Sequence, residues 1–173
     1  IDIPSFVDYF LLSEFTCNYD AGRLSSYICK DISGKYKIYV WDFNNACDNY
    51  MEARIDLHDF EIQNRLMYHM LCRDEDFTEA IITRYRQLRQ SVLSEEYLMN
   101  YIDQTVAYLG PAIDRNFDKW GYSFQTEYSL LNGEDREICS YDEAISQLKD
   151  FLIERGTWMD QNIDAIREFS AES

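Results

Sequence analysis

A β-prone island in a chain otherwise patterned for helices sets what this sequence can fold into. Residues 17 to 50, CNYDAGRLSSYICKDISGKYKIYVWDFNNACDNY, read as a loop, a β-hairpin and a second loop. Leu24 to Lys30 makes the first expected strand, with Tyr27 and Ile28. Tyr36 to Trp41 makes the second, with Ile38, Tyr39 and Val40. Ser33-Gly34 supplies a tight turn, since glycine accepts positive φ without steric cost. Pairing Ile32 with Lys35 around that turn sets Asp42 opposite Ser25, with Asp20 a few residues beyond the same open end. Adjacent strands lie about 5 Å apart, so one hairpin can present two carboxylates at one mouth.

The flanking sequence is helical in period. Ile3, Val7, Phe10, Leu11 and Glu14–Phe15 predict a helix over residues 3 to 16 with one buried face, and Pro4 suits its first turn. Residues 44 to 57 look irregular. Phe60, Leu66 and Met70 can share the next helix. Asp76 with Glu79 reads as a capping pair for a helix striped by Phe77, Ile81, Tyr85, Leu88 and Val92. Ser94 caps a long segment carrying Leu98, Ile102, Val106, Leu109, Ile113, Phe117 and Trp120, which Pro111 must kink or split. After a polar link with an Asn132-Gly133 turn, Ser140 and Glu143 open the last helix as a capping box. Gly156 costs that helix about 1 kcal/mol relative to alanine and marks a bend or restart. The expected fold class is therefore mainly α (α+β), one domain over residues 1–173. Residues 1–56 carry the first helix, the hairpin and its loops, and 57–173 form the helical part.

Charge and motif content narrow the function classes. A formal net charge of -16 argues against non-specific nucleic-acid binding, which needs cations to displace counterions. No apolar run approaches the roughly 18 residues of a membrane span. Five cysteines without a CxxC pair argue against a zinc site and read as buried thiols, with one or two disulfides open if the protein is exported. His58 and His69 are too far apart for a helical metal pair, and no GxSxG elbow or phosphate-cradling glycine loop is present. Arg84, Arg86 and Arg89 form a basic stripe best explained by pairing with acidic residues on the helix surface. The chain starts at Ile1, almost directly in a helix, and reads as a piece of something longer.

Asp20 and Asp42 carry the candidate chemistry. Carboxylates at a hairpin mouth suit a hard cation such as Mg²⁺, with Asn44, Asn45, Asp48 and Ser25 as further oxygen donors. Residues of these types also cap loop turns, and their spacing alone does not choose between the two readings.

SFVDYFLLSEFTCNYDAGRLSSYICKD followed by GKYKIYVWDFNNACDN resembles the CotH kinase family of spore-coat and surface proteins. That family has a helix leading into an N-x-D loop, a strand ending in YKD, a turn, and a strand ending in WDFD. FTEAIITRYRQLRQSVLSEEYLMNYIDQ, DRNFDKW and LKDFLIERGTWMDQNI resemble its downstream segments, so the likeness runs from about residue 3 to 167. The resemblance implies the C-terminal lobe of an atypical protein-kinase-like fold. It further implies Mg²⁺ (or Mn²⁺) and ATP as cofactors of the full-length parent, with a Ser or Thr of a protein substrate as acceptor. Asp20 then falls at the catalytic-base position and Asp42, in Trp41-Asp42-Phe43-Asn44, at the metal position, with Ser25, Asn44 and Asn45 around the cofactor. Two departures stand out: the family's WDFD is WDFN here, and Ser25 occupies a place where kinases keep an asparagine ligand. No lysine-bearing strand can be identified ahead of Asp20, so residues 1–173 alone are expected to be inactive. The alternative implied is a pseudokinase serving surface or coat assembly, and either reading implies a secreted, cell-surface or spore-coat location.

Overall fold

The computed structural model describes residues 1–49, 56–124 and 140–171. The expected Asn132-Gly133 turn, Cys139 and much of the irregular stretch after Asn49 lie outside them.

Helix α1 (Ile3–Phe15) is the axis of the core. Asp2 caps it, its carboxylate accepting from Ser5 N at 3.1 Å, and Pro4 sits in the first turn. Its burial is not confined to one face. Phe6, Val7, Tyr9, Phe10, Leu11, Ser13, Glu14 and Phe15 are all buried, because the helix is enclosed by other elements on several sides.

Strands β1 (Ser26–Cys29) and β2 (Lys37–Val40) form the two-stranded antiparallel sheet seen among the described residues. Their register pairs Ser26 with Val40 and Ile28 with Ile38, one residue away from the expected pairing. Asp42 therefore falls level with Leu24 and not with Ser25. The cause is the connection. Asp31 O accepts from Gly34 N at 3.1 Å and Asp31 Oδ1 caps Ile32 N, giving a four-residue turn inside a longer loop. Gly34 is not in the left-handed region. Ile38 points into the core, whereas Tyr27, Tyr39, Val40 and Trp41 are each more than half exposed.

A 3-10 turn (Ile62–Asn64) separates Phe60 from the short helix α2 (Leu66–Leu71), so Phe60 packs from a loop and not from that helix. Helix α3 (Glu75–Arg89) is capped by Asp74, which accepts from Phe77 N at 3.0 Å. Asp76 lies inside its first turn, where a carboxylate favours the positive helix end without capping it. Phe77, Ile81, Ile82 and Tyr85 bury as the period requires, but Val92 lies beyond the helix and is 45% exposed.

Pro111 splits the next segment. Helix α4 (Glu95–Leu109), capped by Ser94, ends at Gly110 with φ of 45°, and α5 (Pro111–Trp120) restarts at the proline. Neither contains a fully buried residue, so this amphipathic pair lies at the periphery. Helix α6 (Tyr141–Asn162), capped by Ser140, runs through Gly156 without a break. A β-carbon at Gly156 would sit 3.1 Å from the guanidinium nitrogens of Arg89, so glycine there admits a neighbouring side chain and does not bend the helix. A 3-10 turn (Ile163–Arg167) and α7 (Glu168–Ala171) close the described chain.

One cluster of buried residues joins α1, Ile38, α2, α3 and α6. Tyr68 is at its aromatic centre, with ring centroids of Phe6, Tyr9, Phe10 and Phe77 within 5.3–6.5 Å, and its hydroxyl donates to Phe6 O at 2.9 Å. That bond satisfies a hydroxyl which could not otherwise be buried cheaply.

Candidate functional site

The candidate site is built on a charged knot at the end of α1. Glu14 and Arg155, 141 residues apart, are 1% and 0% exposed and form an ion pair at 2.7 Å. Glu14 also accepts from Glu61 N and Ile62 N, while Arg155 donates to the carbonyls of Glu14, Leu57 and Asp59. Burial pushes the Glu14 carboxyl up, against the pull of Arg155 and of the Ile62 and Glu61 N–H groups. A carboxylate and a guanidinium this deep persist only when each remaining lone pair and proton finds a partner. The knot locks α6 and the 57–62 segment to the helix end from which the site loop leaves.

The first loop turns tightly. Asn18 N bonds Ser13 O at 2.9 Å, and Asp20 O accepts from Arg23 N and Leu24 N. Asn18 is fully buried and its Oδ1 accepts from Asp20 N at 3.3 Å. Gly22 has φ of 72°, and a β-carbon on it would meet Arg65 Cβ at 2.8 Å, so glycine is demanded by both backbone and space. Gly22 N and Tyr9 OH both bond Ser26 Oγ, at 2.9 and 2.8 Å. Arg23 and Arg65 flank the Tyr19 ring, with guanidinium carbons 5.3 and 5.5 Å from its centroid.

The second loop meets the first at Asp20. Asn45 Nδ2 donates to Asp20 Oδ2 at 2.7 Å, and Asn44 Nδ2 donates to Asn45 Oδ1 at 3.1 Å. Asn49 Nδ2 reaches back to Asn44 O at 2.7 Å. Asp42 opens the 3-10 turn Phe43–Asn45 with φ of 53°, and its exposed carboxylate makes no capping hydrogen bond. The structure thus gathers Asp20, Asn45 and Asn44 in one hydrogen-bond chain, with Asp42 beside them in sequence. Ser25, at φ of 40°, stands outside that chain, and its neighbour Ser26 holds the loop instead.

Backbone conformation sets this segment apart. Among the described residues, the non-glycine residues with positive φ are Cys17, Ser25, Asp42, Cys47 and Asp48, all within the loop–hairpin–loop. Such conformations cost about 1–3 kcal/mol each and persist where surrounding contacts over-determine them, which happens most at functional sites.

The donor set fits a hard cation. Asp42 offers a carboxylate that makes no capping bond, and Asp20, Asn44 and Asn45 add oxygens of the type Mg²⁺ selects. Among the described residues no three His, Cys, Asp or Glu side chains converge as a complete cage. Mg²⁺ does not require one, since it ordinarily keeps waters and phosphate oxygens alongside one or two carboxylates. Two clefts among the described residues, of about 500 Å³ beside Tyr97 and Tyr101 and about 550 Å³ between α1 and α3, are lined by residues other than Asp20 and Asp42.

The basic stripe on α3 is structural. Arg84 grips Asp8 of α1 through two hydrogen bonds, Arg86 bonds Asp164 at 2.6 Å, and Arg89 takes both oxygens of Asp160 on α6. These pairs join different elements and are not neighbours along one helix. His69 is exposed and bonds Arg73, while His58 pairs with Glu154 at 3.0 Å. The Glu14–Arg155 knot has a sequence signal: an acidic residue in step with Phe10, Leu11 and Phe15 on a core-facing pattern calls for a buried partner. Nothing comparable in sequence marked Tyr9 and Ser26 as the pair that holds the loop.

A family model described as CotH kinase protein matches residues 1–159 of the 173. No curated protein and no solved structure gives a match. Among the described residues no helix is long and apolar enough to cross a membrane.

Proposed function

The chain belongs to the CotH kinase family, and from that premise we propose that its full-length parent transfers a phosphoryl group from ATP to a Ser or Thr hydroxyl of a protein. The observation that carries this reading is the 2.7 Å bond from Asn45 to Asp20, which ties the loop before the hairpin to the loop after it. Phosphoryl transfer asks little covalent chemistry of a protein and much positioning. Asn45 holds one oxygen of Asp20 and leaves the other to accept the hydroxyl proton and orient the attacking oxygen. Asp42, whose side chain makes no capping bond to the turn it opens, has its carboxylate available for Mg²⁺ or Mn²⁺. The metal with ATP would supply the transferable group and neutralise its phosphate charge. Asn44 stands where the family has a second carboxylate, so this chain places one less negative charge there and should hold the metal more weakly.

The exposed hairpin face of Tyr27, Tyr39 and Trp41 supports the same reading, as an apolar surface suited to the rest of a kinase-like cleft. The family likeness further supports a secreted, cell-surface or spore-coat location, with a protein substrate or a coat-assembly partner. Asn44 and Ser25 favour a second reading, in which the lobe keeps its fold as a pseudokinase for surface assembly.

The test is phosphate incorporation by the full-length parent with Mg²⁺ or Mn²⁺ and labelled ATP, compared with Asp20→Ala and Asp42→Ala. Loss of roughly 100-fold or more in either variant is expected, the scale on which a positioned base or charge acts. Equal incorporation by all three proteins overturns the enzyme reading. Absence of ATP binding with intact assembly selects the pseudokinase.

A further inference from the structure

The site-bearing segment leaves α1 and returns to it at one point. Cys47 N donates to Thr16 O at 2.6 Å, which brings Cys47 alongside Cys17. The planar peptide fixes Thr16 O at about 2.8 Å from Cys17 Cα, and Cys47 N is about 1.46 Å from its own Cα, so the Cα–Cα separation is at most about 7 Å, and any bend in that path shortens it. Disulfides span Cα–Cα distances of roughly 4.4–6.8 Å. Both cysteines adopt left-handed backbone, with φ of 46° and 56°, a conformation that neither side chain favours. Cys17 is buried and Cys47 half-buried, and Cys47 is close enough for its charge to act on the Cys17 thiol. Both are free thiols in this structure.

We propose that Cys17 and Cys47 form a disulfide that closes the loop–hairpin–loop segment at its base. The ring so formed encloses Asp20, Ser25, Asp42, Asn44 and Asn45. The inference does not depend on the phosphoryl-transfer reading. It needs an oxidant of the disulfide class, such as oxidised glutathione or an oxidised dithiol protein. The thiolate of one cysteine attacks the oxidant's S–S bond, forming a mixed disulfide and releasing one thiolate. The second cysteine's thiolate then attacks the protein sulfur of that mixed disulfide, and the second thiolate leaves. Two protein thiols are oxidised, one external disulfide is reduced to two thiols, and two protons pass to solvent and the leaving groups.

Burial governs when this happens. It pushes the Cys17 thiol up to about 12, so the folded protein exposes almost no Cys17 thiolate at neutral pH. Closure belongs to folding, before the core forms around Cys17, and the finished bond is shielded from exchange. Cys29 is exposed on β1 and Cys72 is buried at the end of α2, so neither shares the Thr16–Cys47 contact.

The experiment refolds the chain in a glutathione redox buffer, blocks remaining thiols under denaturing conditions, and maps disulfides by mass spectrometry of an unreduced digest. The expected result is a cross-linked peptide pair containing Cys17 and Cys47. A melting temperature lower by about 10 °C after full reduction is also expected, the scale for a closed loop of about 30 residues in a chain of this size. C47S and, should it not fold, C47A should show no such drop. Alkylation of both Cys17 and Cys47 in the wild-type map, or a bond from either to Cys29, Cys72 or Cys139, overturns the proposal.

Discussion

The α1–α3–α6 scaffold and the segment from Cys17 to Asp48 obey opposite rules. In the scaffold, backbone is regular, caps sit at the helix starts, and arginines on α3 and α6 reach acids on other elements. In the segment, regular structure shrinks to two four-residue strands, and left-handed residues accumulate at its base and at the hairpin mouth. Some of its side chains bond to one another, Asn45 to Asp20 and Asn44 to Asn45, and it meets α1 along β2, at Cys47–Thr16 and at Ser26–Tyr9, with Cys17, Ala21 and Ile38 buried in the shared core. The difference teaches a division of labour. The scaffold supplies stability from which a strained loop pair can be held in one shape, and the loop pair carries Asp20, held by Asn45, and the exposed Asp42.

The sharpest way to break that contrast is to cut the knot joining the two regions. Glu14→Ala or Arg155→Met each strands a buried charge and should cost roughly 3–5 kcal/mol in urea unfolding. A loss under about 1 kcal/mol would show that the knot is not what holds α6 to the loop exit. Next in size is Gly22→Ala, which combines φ of 72° with a 2.8 Å approach to Arg65 Cβ. It should destabilise by about 1–3 kcal/mol in thermal melts, and a neutral result would mean that the first loop relaxes freely.

Asp42→Gly should go the other way. Glycine relieves the left-handed backbone, so unfolding free energy should rise by up to about 1 kcal/mol while the Mg²⁺ binding proposed for Asp42, read by calorimetry, is lost. Destabilisation by this change would remove Asp42 from the class of residues kept against the interest of the fold.

The smallest expected effect lies in the scaffold. Burial works to raise the Asp160 carboxyl, but hydrogen bonds from Arg89 and Tyr85 outweigh it, so it titrates below its ordinary range. Its contribution is complete above the ordinary carboxylate pKa of about 3.9 and fades as pH falls through the lower folded value. Asp160→Asn should therefore flatten the acid limb of the stability curve and leave the loop's hydrogen-bond chain intact. An unchanged acid limb would assign the acid sensitivity to other pairs.

Helix starts at Ser94 and Ser140, the break at Pro111 and the existence of the hairpin were legible because each depends on chemistry within a few residues. So was the segment that holds Asp20 and Asp42. The failures share one cause. Strand register hung on whether Gly34 or Asp31 governed the turn, and a slip of one residue moved Ser25 out of line with Asp42. Gly156 looked like a helix breaker because the guanidinium it admits comes from a residue far along the chain.

By itself, then, the sequence determined a mainly α chain with one hairpin, two acidic loops flanking it, and membership of the CotH kinase family over residues 1–159. Only the tertiary structure decided that Asn45, and not Ser25, is joined to Asp20, that Glu14 meets Arg155, and that Cys47 returns to Thr16 beside Cys17. Periodicity and caps are short-range and can be read locally. Which polar groups meet is a matter of chain crossings between distant residues, and burial sets the cost of leaving any of them unpaired.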